Sequence, residues 1–283
     1  MHPAKHPQAI QEIIRDNRLF ELLHEGLKAS DSCDPALLDH LLRYTNAYIT
    51  YHALDPEQVA GYYRDYIKEY NRDVKAFMRE GEYPLERDPQ REIPGRQAYS
   101  IILLLSTLLT AHRFRIMQLI CEQTEAMEHG LFIGCGPGIE IEMVKGKAQG
   151  LTAYDLDIDP FLSHAHPSVD FRNTFFDGSG EARYDTIYLI EILEHLSEPL
   201  ALIESCKKVL APNGRLHLTT ATNLPQFDHR YNFDPNHEAF EAQLGGMGFE
   251  TRFKEDIEHA YMTTDIGARN RYYVLGSSGS CAD

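Results

Sequence analysis

The residues in this chain best suited to chemistry are three glycines spaced two apart, Gly134, Gly136 and Gly138, at the end of the apolar run Leu131-Phe132-Ile133. An apolar run that ends in glycines and leads into a helical pattern reads as a strand, a tight turn and a helix N-terminus. Glycines there allow φ > 0 and let a ligand approach the main chain closely. Asp155 comes seventeen residues after Gly138, at the end of a second apolar run, Leu151-Thr152-Ala153-Tyr154. An acid at the tip of the second strand is placed to accept hydrogen bonds from ribose hydroxyls. Glycine turn plus acid is a nucleoside-binding half-site.

The spacing narrows the nucleoside. The dinucleotide fingerprint is G-x-G-x-x-G, whose third glycine packs a helix beneath a pyrophosphate. Here the pattern is G-x-G-x-G. It resembles the first motif of class I S-adenosylmethionine-dependent methyltransferases, whose cofactor carries no phosphate. Tyr184 to Leu196 resembles that superfamily's fourth strand and following helix, and Val209 to Leu216 its helix–turn–strand passage into the fifth strand. The resemblance runs from about Gly130 to Gly276 with the motifs in order.

That resemblance implies an α/β fold, a Rossmann-like sheet of seven strands with the last antiparallel, behind an all-helical N-terminal cap. The expected division is a cap over 1–125, a cofactor-binding domain over 126–276 and a flexible tail over 277–283. The implied cofactor is S-adenosyl-L-methionine. Its expected contacts are Phe132, Gly134, Cys135, Gly136, Gly138, Asp155, Leu156, Ile190 and Glu191, with Asp177 after the third strand for the adenine amino group and Asn173 as its alternative. One departure stands out. The family usually has an acid two residues before the first glycine, where it helps bind the methionyl amino group; here the residue is Phe132. The amino acid end must then be held from elsewhere, and the N-terminal helices are the obvious supplier.

Transfer from a sulfonium needs mainly a nucleophile held in line, so orientation supplies most of the rate. A base helps if the acceptor is an amine or hydroxyl. The expected catalytic side chains are His229, Tyr231 and Tyr66; His195 and His237 fall near the same rim. Asp228, His229 and His237 would all come from one loop without recognised metal spacing, so no metal is expected. The expected reaction is methyl transfer to a small molecule. The alternative is attack on the cofactor's aminocarboxypropyl group, by cyclisation to azetidine-2-carboxylate or by a transfer similar to that of nicotianamine synthases, releasing methylthioadenosine.

The elements that must position these groups are legible in outline. Ile10, Ile13, Ile14, Phe20, Leu23 and Leu27 recur at mostly helical spacing. Asp34-Pro35 and Asp55-Pro56 read as N-caps followed by proline at the first helical position, with Gln58 in capping-box register. The helix from Pro56 should end near Gly81 and carries Tyr62, Tyr66 and Tyr70 on one face, a stripe suited to a half-wet cavity wall. Glu82 to Arg96 is charged and proline-punctuated and reads as a loop. Gln97 to about Cys121 reads as one buried helix. Strands are expected at Val169–Arg172, Thr186–Ile190, Arg215–Thr222, Phe249–Ile257 and Arg271–Leu275.

The formal net charge of −16 argues against a nucleic-acid backbone as partner, because that needs clustered Lys and Arg. Arg113 and Arg115 read as a solvated helix face. The cysteines, Cys33, Cys121, Cys135, Cys206 and Cys281, are scattered without C-x-x-C spacing, which argues against a disulfide framework. Met1 to Pro7 has no apolar signal core behind it, so no leader is expected, and the longest apolar run is too short for a bilayer. A cytoplasmic protein acting on a small molecule, with no nucleic acid or membrane partner, is the expectation; the oligomeric state is open.

Overall fold

A computed structural model describes residues 9–30, 33–81, 94–226, 228–259 and 266–277. The first residues, most of the expected loop between Glu82 and Arg96, and the tail beyond Ser277 lie outside the described residues.

Among the described residues six helices precede the first strand: α1 Ala9–Asp16, α2 Arg18–Lys28, α3 Pro35–Tyr51, α4 Pro56–Glu80, α5 Arg96–Leu109 and α6 Ala111–Gln123. Asp34 and Asp55 cap α3 and α4 as their place before proline dictates. Asp34 Oδ1 accepts from Ala36 N at 2.8 Å and Asp55 Oδ1 from Glu57 N at 2.9 Å. The capping box is not closed. Gln58 turns its amide to the Tyr62 hydroxyl instead, at 2.6 Å. Gly81 ends α4 with φ 71°.

Two expectations here are corrected. The first amphipathic stretch is two helices, because the Asn17 side chain accepts from Phe20 N and starts α2 afresh. The run from Gln97 is also two. Thr110 is extended (φ −130°, ψ 131°), and α5 and α6 meet at 87°. The hydroxyls of Ser106, Thr107 and Thr110 each donate to a carbonyl of the preceding turn, at 2.7–2.8 Å. Such bonds compete with the backbone ladder and bend helices. Among the described residues no single helix is long and apolar enough to cross a membrane.

The sheet comprises β1 Met127–Ile133, β2 Ala148–Asp155, β3 Val169–Asn173, β4 Tyr184–Leu189, β5 Leu210–Thr222, β6 Phe249–Glu258 and β7 Arg269–Ser277. Its order is β3-β2-β1-β4-β5-β7-β6, and β7 runs antiparallel to both neighbours. This is the expected seven-stranded Rossmann-like sheet behind an all-helical N-terminal region. Helices α7 Ile139–Val144, α8 Pro160–Ala165, α9 Pro199–Val209 and α10 Glu238–Gly246 complete the chain.

Both faces of the sheet are buried, as parallel strands require. Phe132, Tyr188, Tyr272 and Val274 face one way and share a continuous apolar cluster with α1 to α8. Leu131, Ile133, Ile187, Leu189, Tyr273 and Leu275 alternate to the other face and pack on α9 and α10. The segment after β4, expected as a helix, is one tight turn at Leu193–His195. Glu191 takes φ 52° there and redirects the chain.

Candidate active site

The glycine turn follows β1. Gly134, Gly136 and Gly138 have φ of 74°, 46° and 74°, a region side chains rarely adopt. The Gly136 N–H donates to Asp155 Oδ2 at 2.9 Å, so the tips of β1 and β2 are tied by the acid itself. Gly138 backs the turn. A Cβ there would meet Leu162 at 2.5 Å and the Tyr44 hydroxyl at 3.1 Å. That hydroxyl donates to the Pro137 carbonyl at 2.8 Å, so α3 braces the turn from behind. Beside it, Tyr48 donates to Asp159 at 2.9 Å from the same helix.

In front of the turn lies a cavity of about 410 Å³ between the carboxyl edge of the sheet and helices α4 to α6. Gly134, Cys135, Gly136, Asp155 and Leu156 line one end. Leu156 and Phe175 stand at the rim with 66% and 65% of their surface exposed. Large apolar side chains at the mouth of a cavity mark a surface that a ligand covers.

The other end is ionic and buried. Arg113 of α6, 5% exposed, lies 3.3 Å from Glu140 and 3.2 Å from Glu191. Burial pushes the Glu140 carboxyl up, against the pull of Arg113. Burial also disfavours the Arg113 charge, but Glu191 and Glu140 outweigh it and hold the guanidinium protonated. The Arg113 Nε is buried without a hydrogen-bond partner. Asn270 donates to Glu191 at 2.8 Å. Deeper in, Glu194, His195 and His229 converge, with one ligand atom of each within 4.8 Å of the others. Burial, then the neighbouring Glu191, pushes Glu194 well above the carboxylate range. Burial lowers His195, but Asp228 and Glu194 outweigh it and leave it raised. Burial and His195 push His229 down to about 4. Tyr99 donates to Asp228 at 3.3 Å, and Tyr66 reaches Gln226 at 3.5 Å.

Several expected site residues fall elsewhere. The Phe132 ring stacks on Tyr188 at 4.4 Å inside the core, because alternation along β1 turns it to the helical face. Asp177 is exposed and accepts from Ser179 N at 2.8 Å, a turn-forming role. Asn173 accepts from Ile158 N. Thr174, Phe175 and Phe176 line the cavity on that side instead. Tyr231 packs on Phe233 at 4.7 Å, outside the cavity wall. Of the tyrosine stripe, Tyr66 lines the cavity, while Tyr70 packs with Val74, Ala221 and Leu224. His237 is buried against the Thr220 hydroxyl at 2.7 Å, so it does not join His229. Ile190, Glu191 and His229 do line the cavity.

Arg113 is the clearest residue the sequence misplaces: it is a buried ion-pair partner, not a solvated face. The signal was its position just after the mostly apolar run over 101–109 and beside Phe114, Ile116 and Met117, where a buried arginine is retained only if paired. Glu140, Glu194, Tyr99 and Asp228 carried no comparable local mark.

Residues 113–252 match a family model described as a methyltransferase domain. The chain carries a class I S-adenosylmethionine-dependent methyltransferase domain. This domain is 32% identical over 103 residues to the ubiquinone biosynthesis O-methyltransferase of Actinobacillus pleuropneumoniae serotype 7, covering 32% of this chain and 44% of that one. It is 28% identical over 105 residues to the protein of the same name from Pseudomonas aeruginosa, covering 34% and 45%. The chain thus spans less than half the length of these curated relatives. Among solved structures, the N-methyltransferase NodS of Bradyrhizobium japonicum with S-adenosyl-L-homocysteine superposes with a TM-score of 0.45 at 15% identity, over 73% of this chain and 99% of that one.

S-adenosylmethionine is the cofactor of this superfamily, and the cavity fits it. Each carboxylate oxygen has a second lone pair, so Asp155 keeps acceptor capacity after bonding Gly136. The exposed Leu156 and Phe175 offer apolar cover, and the orphaned Arg113 Nε is a buried donor for a carboxylate.

Proposed function

We propose that this methyltransferase domain moves the methyl group of S-adenosylmethionine to a hydroxyl or amine of a small molecule. The observation that carries the proposal is that one cavity has the glycine turn and Asp155 at one end and the buried ionic cluster at the other. In this arrangement Asp155 holds the ribose, and Leu156 and Phe175 cover the adenine. Arg113, with Glu191 and Ile190 beside it, takes the methionyl end in place of the acid missing at Phe132. Tyr66 and His229 face the acceptor, and His229 stays neutral at pH 7 because burial lowers its pKa.

The acceptor's lone pair attacks the methyl carbon, the carbon–sulfur pair goes to sulfur, and S-adenosylhomocysteine leaves. Excluding water from the cavity strengthens the orienting contacts. The test is nucleoside analysis after incubation with S-adenosylmethionine and a panel of small phenols and amines. S-adenosylhomocysteine should accumulate only with an accepting compound. Methylthioadenosine as the enzymatic product would overturn the proposal.

A further inference from the structure

The cavity floor carries more carboxyl groups than its arginine pairs with. Glu140 and Glu191 share Arg113. Glu194 and Asp228 lie farther in, and Glu194 Oε2 and Asp228 Oδ1 are buried without a hydrogen-bond partner. Glu194 is 1% exposed. Buried carboxylate oxygens in that condition call for a partner, and a cation is one.

Two histidines stand where such a cation would sit. His195 comes from the turn after β4 and His229 from the loop after β5, and their rings meet edge to face at 5.0 Å. Each ring is fixed by a backbone carbonyl. His195 Nδ1 lies 3.2 Å from the Asp228 carbonyl, and His229 donates to Leu224. Metal-ligating histidines are oriented in this way, one ring nitrogen tied to a carbonyl or carboxylate while the other faces the ion. The two segments are also clamped to each other. The Glu194 carbonyl accepts from Arg230 N at 2.7 Å and from Tyr231 N at 3.0 Å. The two rings are therefore held by main-chain carbonyls, and the segments that carry all three side chains are tied together by main-chain bonds.

We propose that Glu194, His195 and His229 bind a divalent first-row transition-metal ion at the acceptor end of the cavity, with Asp228 beside it. Two imidazoles and one carboxylate leave coordination positions open and suit manganese, iron, cobalt or zinc better than calcium or magnesium. Resting on the methyl-transfer reading above, the ion narrows the acceptor to one with a metal-binding hydroxyl. The bound hydroxyl loses its proton to water, helped by the ion's charge. Its oxygen pair attacks the sulfonium methyl carbon, and the carbon–sulfur pair goes to sulfur. A methyl ether and S-adenosylhomocysteine leave, and the oxidation state of the ion does not change.

The test uses the full chain, stripped with chelator and titrated with cobalt(II) chloride, followed by calorimetry and by the visible absorption of the bound ion. Wild-type protein should bind one equivalent and develop ligand-field bands. Glu194→Gln and His229→Gln should each weaken binding by roughly 100-fold. Near-UV circular dichroism identifies the variants that keep the wild-type fold. His237→Gln, in the same loop but outside the cluster, should keep wild-type affinity. Catechol added to the cobalt-loaded protein should shift the bands by occupying the open positions. No saturable cobalt binding, or equal affinity in folded Glu194→Gln and His229→Gln, overturns the site. Binding with bands that catechol leaves unchanged overturns the acceptor half alone. A failure of the protein to bind S-adenosylhomocysteine while the cobalt site behaves as described would instead sink the methyl-transfer reading and leave the metal site standing.

Discussion

The two ends of the cavity are built on different principles. The glycine end is made of main chain. Gly136 N–H meets Asp155, Tyr44 meets the Pro137 carbonyl, and these polar groups have partners within one strand–turn–helix unit and the helix behind it. The ionic end is made of side chains from α4, α5, α6, α7 and the loops after β4 and β5. It leaves Arg113 Nε, Glu194 Oε2 and Asp228 Oδ1 buried and unmatched. The first end can bind a fixed cofactor with little rearrangement. The second holds unmet hydrogen-bonding capacity that a ligand can satisfy. Stability should therefore depend on the ionic end through charge balance and on the glycine end through backbone strain.

The largest effect should come from breaking the charge balance. Arg113→Ala leaves Glu140 and Glu191 buried without their cation, and chemical denaturation should show a loss of about 3–5 kcal/mol. A loss near zero would mean that the two carboxylates are protonated and the pair is not ionic. Next is the glycine end. Gly138→Ala puts a Cβ against Leu162 and demands φ of 74° from a residue with a side chain. It should cost about 1–3 kcal/mol. A neutral result would show that α8 yields easily and that the turn is not braced. The smallest effect concerns that brace. Tyr44→Phe removes the hydroxyl bonded to Pro137 and should cost about 1 kcal/mol, read from the same denaturation curves.

The same contrast explains what the sequence disclosed. The glycine turn, Asp155 and the aspartate caps at Asp34 and Asp55 are local patterns, each spanning a few residues with a fixed backbone consequence. The seven-stranded Rossmann-like sheet with its last strand antiparallel followed from motif order. The break at Thr110 was hidden because the segment is apolar on all sides, so no change of face marks the 87° bend. Phe132 was placed at the cofactor by its distance from Gly134, yet alternation along β1 sends its ring into the core. Asp177 was suited to a turn as well as to adenine, and the turn is what it makes. Of the ionic end, Glu191 and His229 were expected from their place after strands, whereas Glu140, Glu194, Tyr99 and Asp228 had no local signature. Glu194 and His195 are adjacent in sequence, but His229 joins them only because the Glu194 carbonyl is bonded to the chain just beyond His229, at Arg230 and Tyr231.

The central claim is that the nucleoside of the cofactor is held at the glycine end and that the His195 and His229 side of the ionic end serves another ligand. Calorimetric titration of S-adenosylhomocysteine into Asp155→Ala and His229→Gln tests this most directly. Losing the ribose contacts should cost about 1–3 kcal/mol, roughly a 5- to 150-fold weaker Kd for Asp155→Ala. His229→Gln should bind S-adenosylhomocysteine as wild type does. Equal weakening in both variants, or weakening only in His229→Gln, would contradict the account, because the cofactor would then lie against His229.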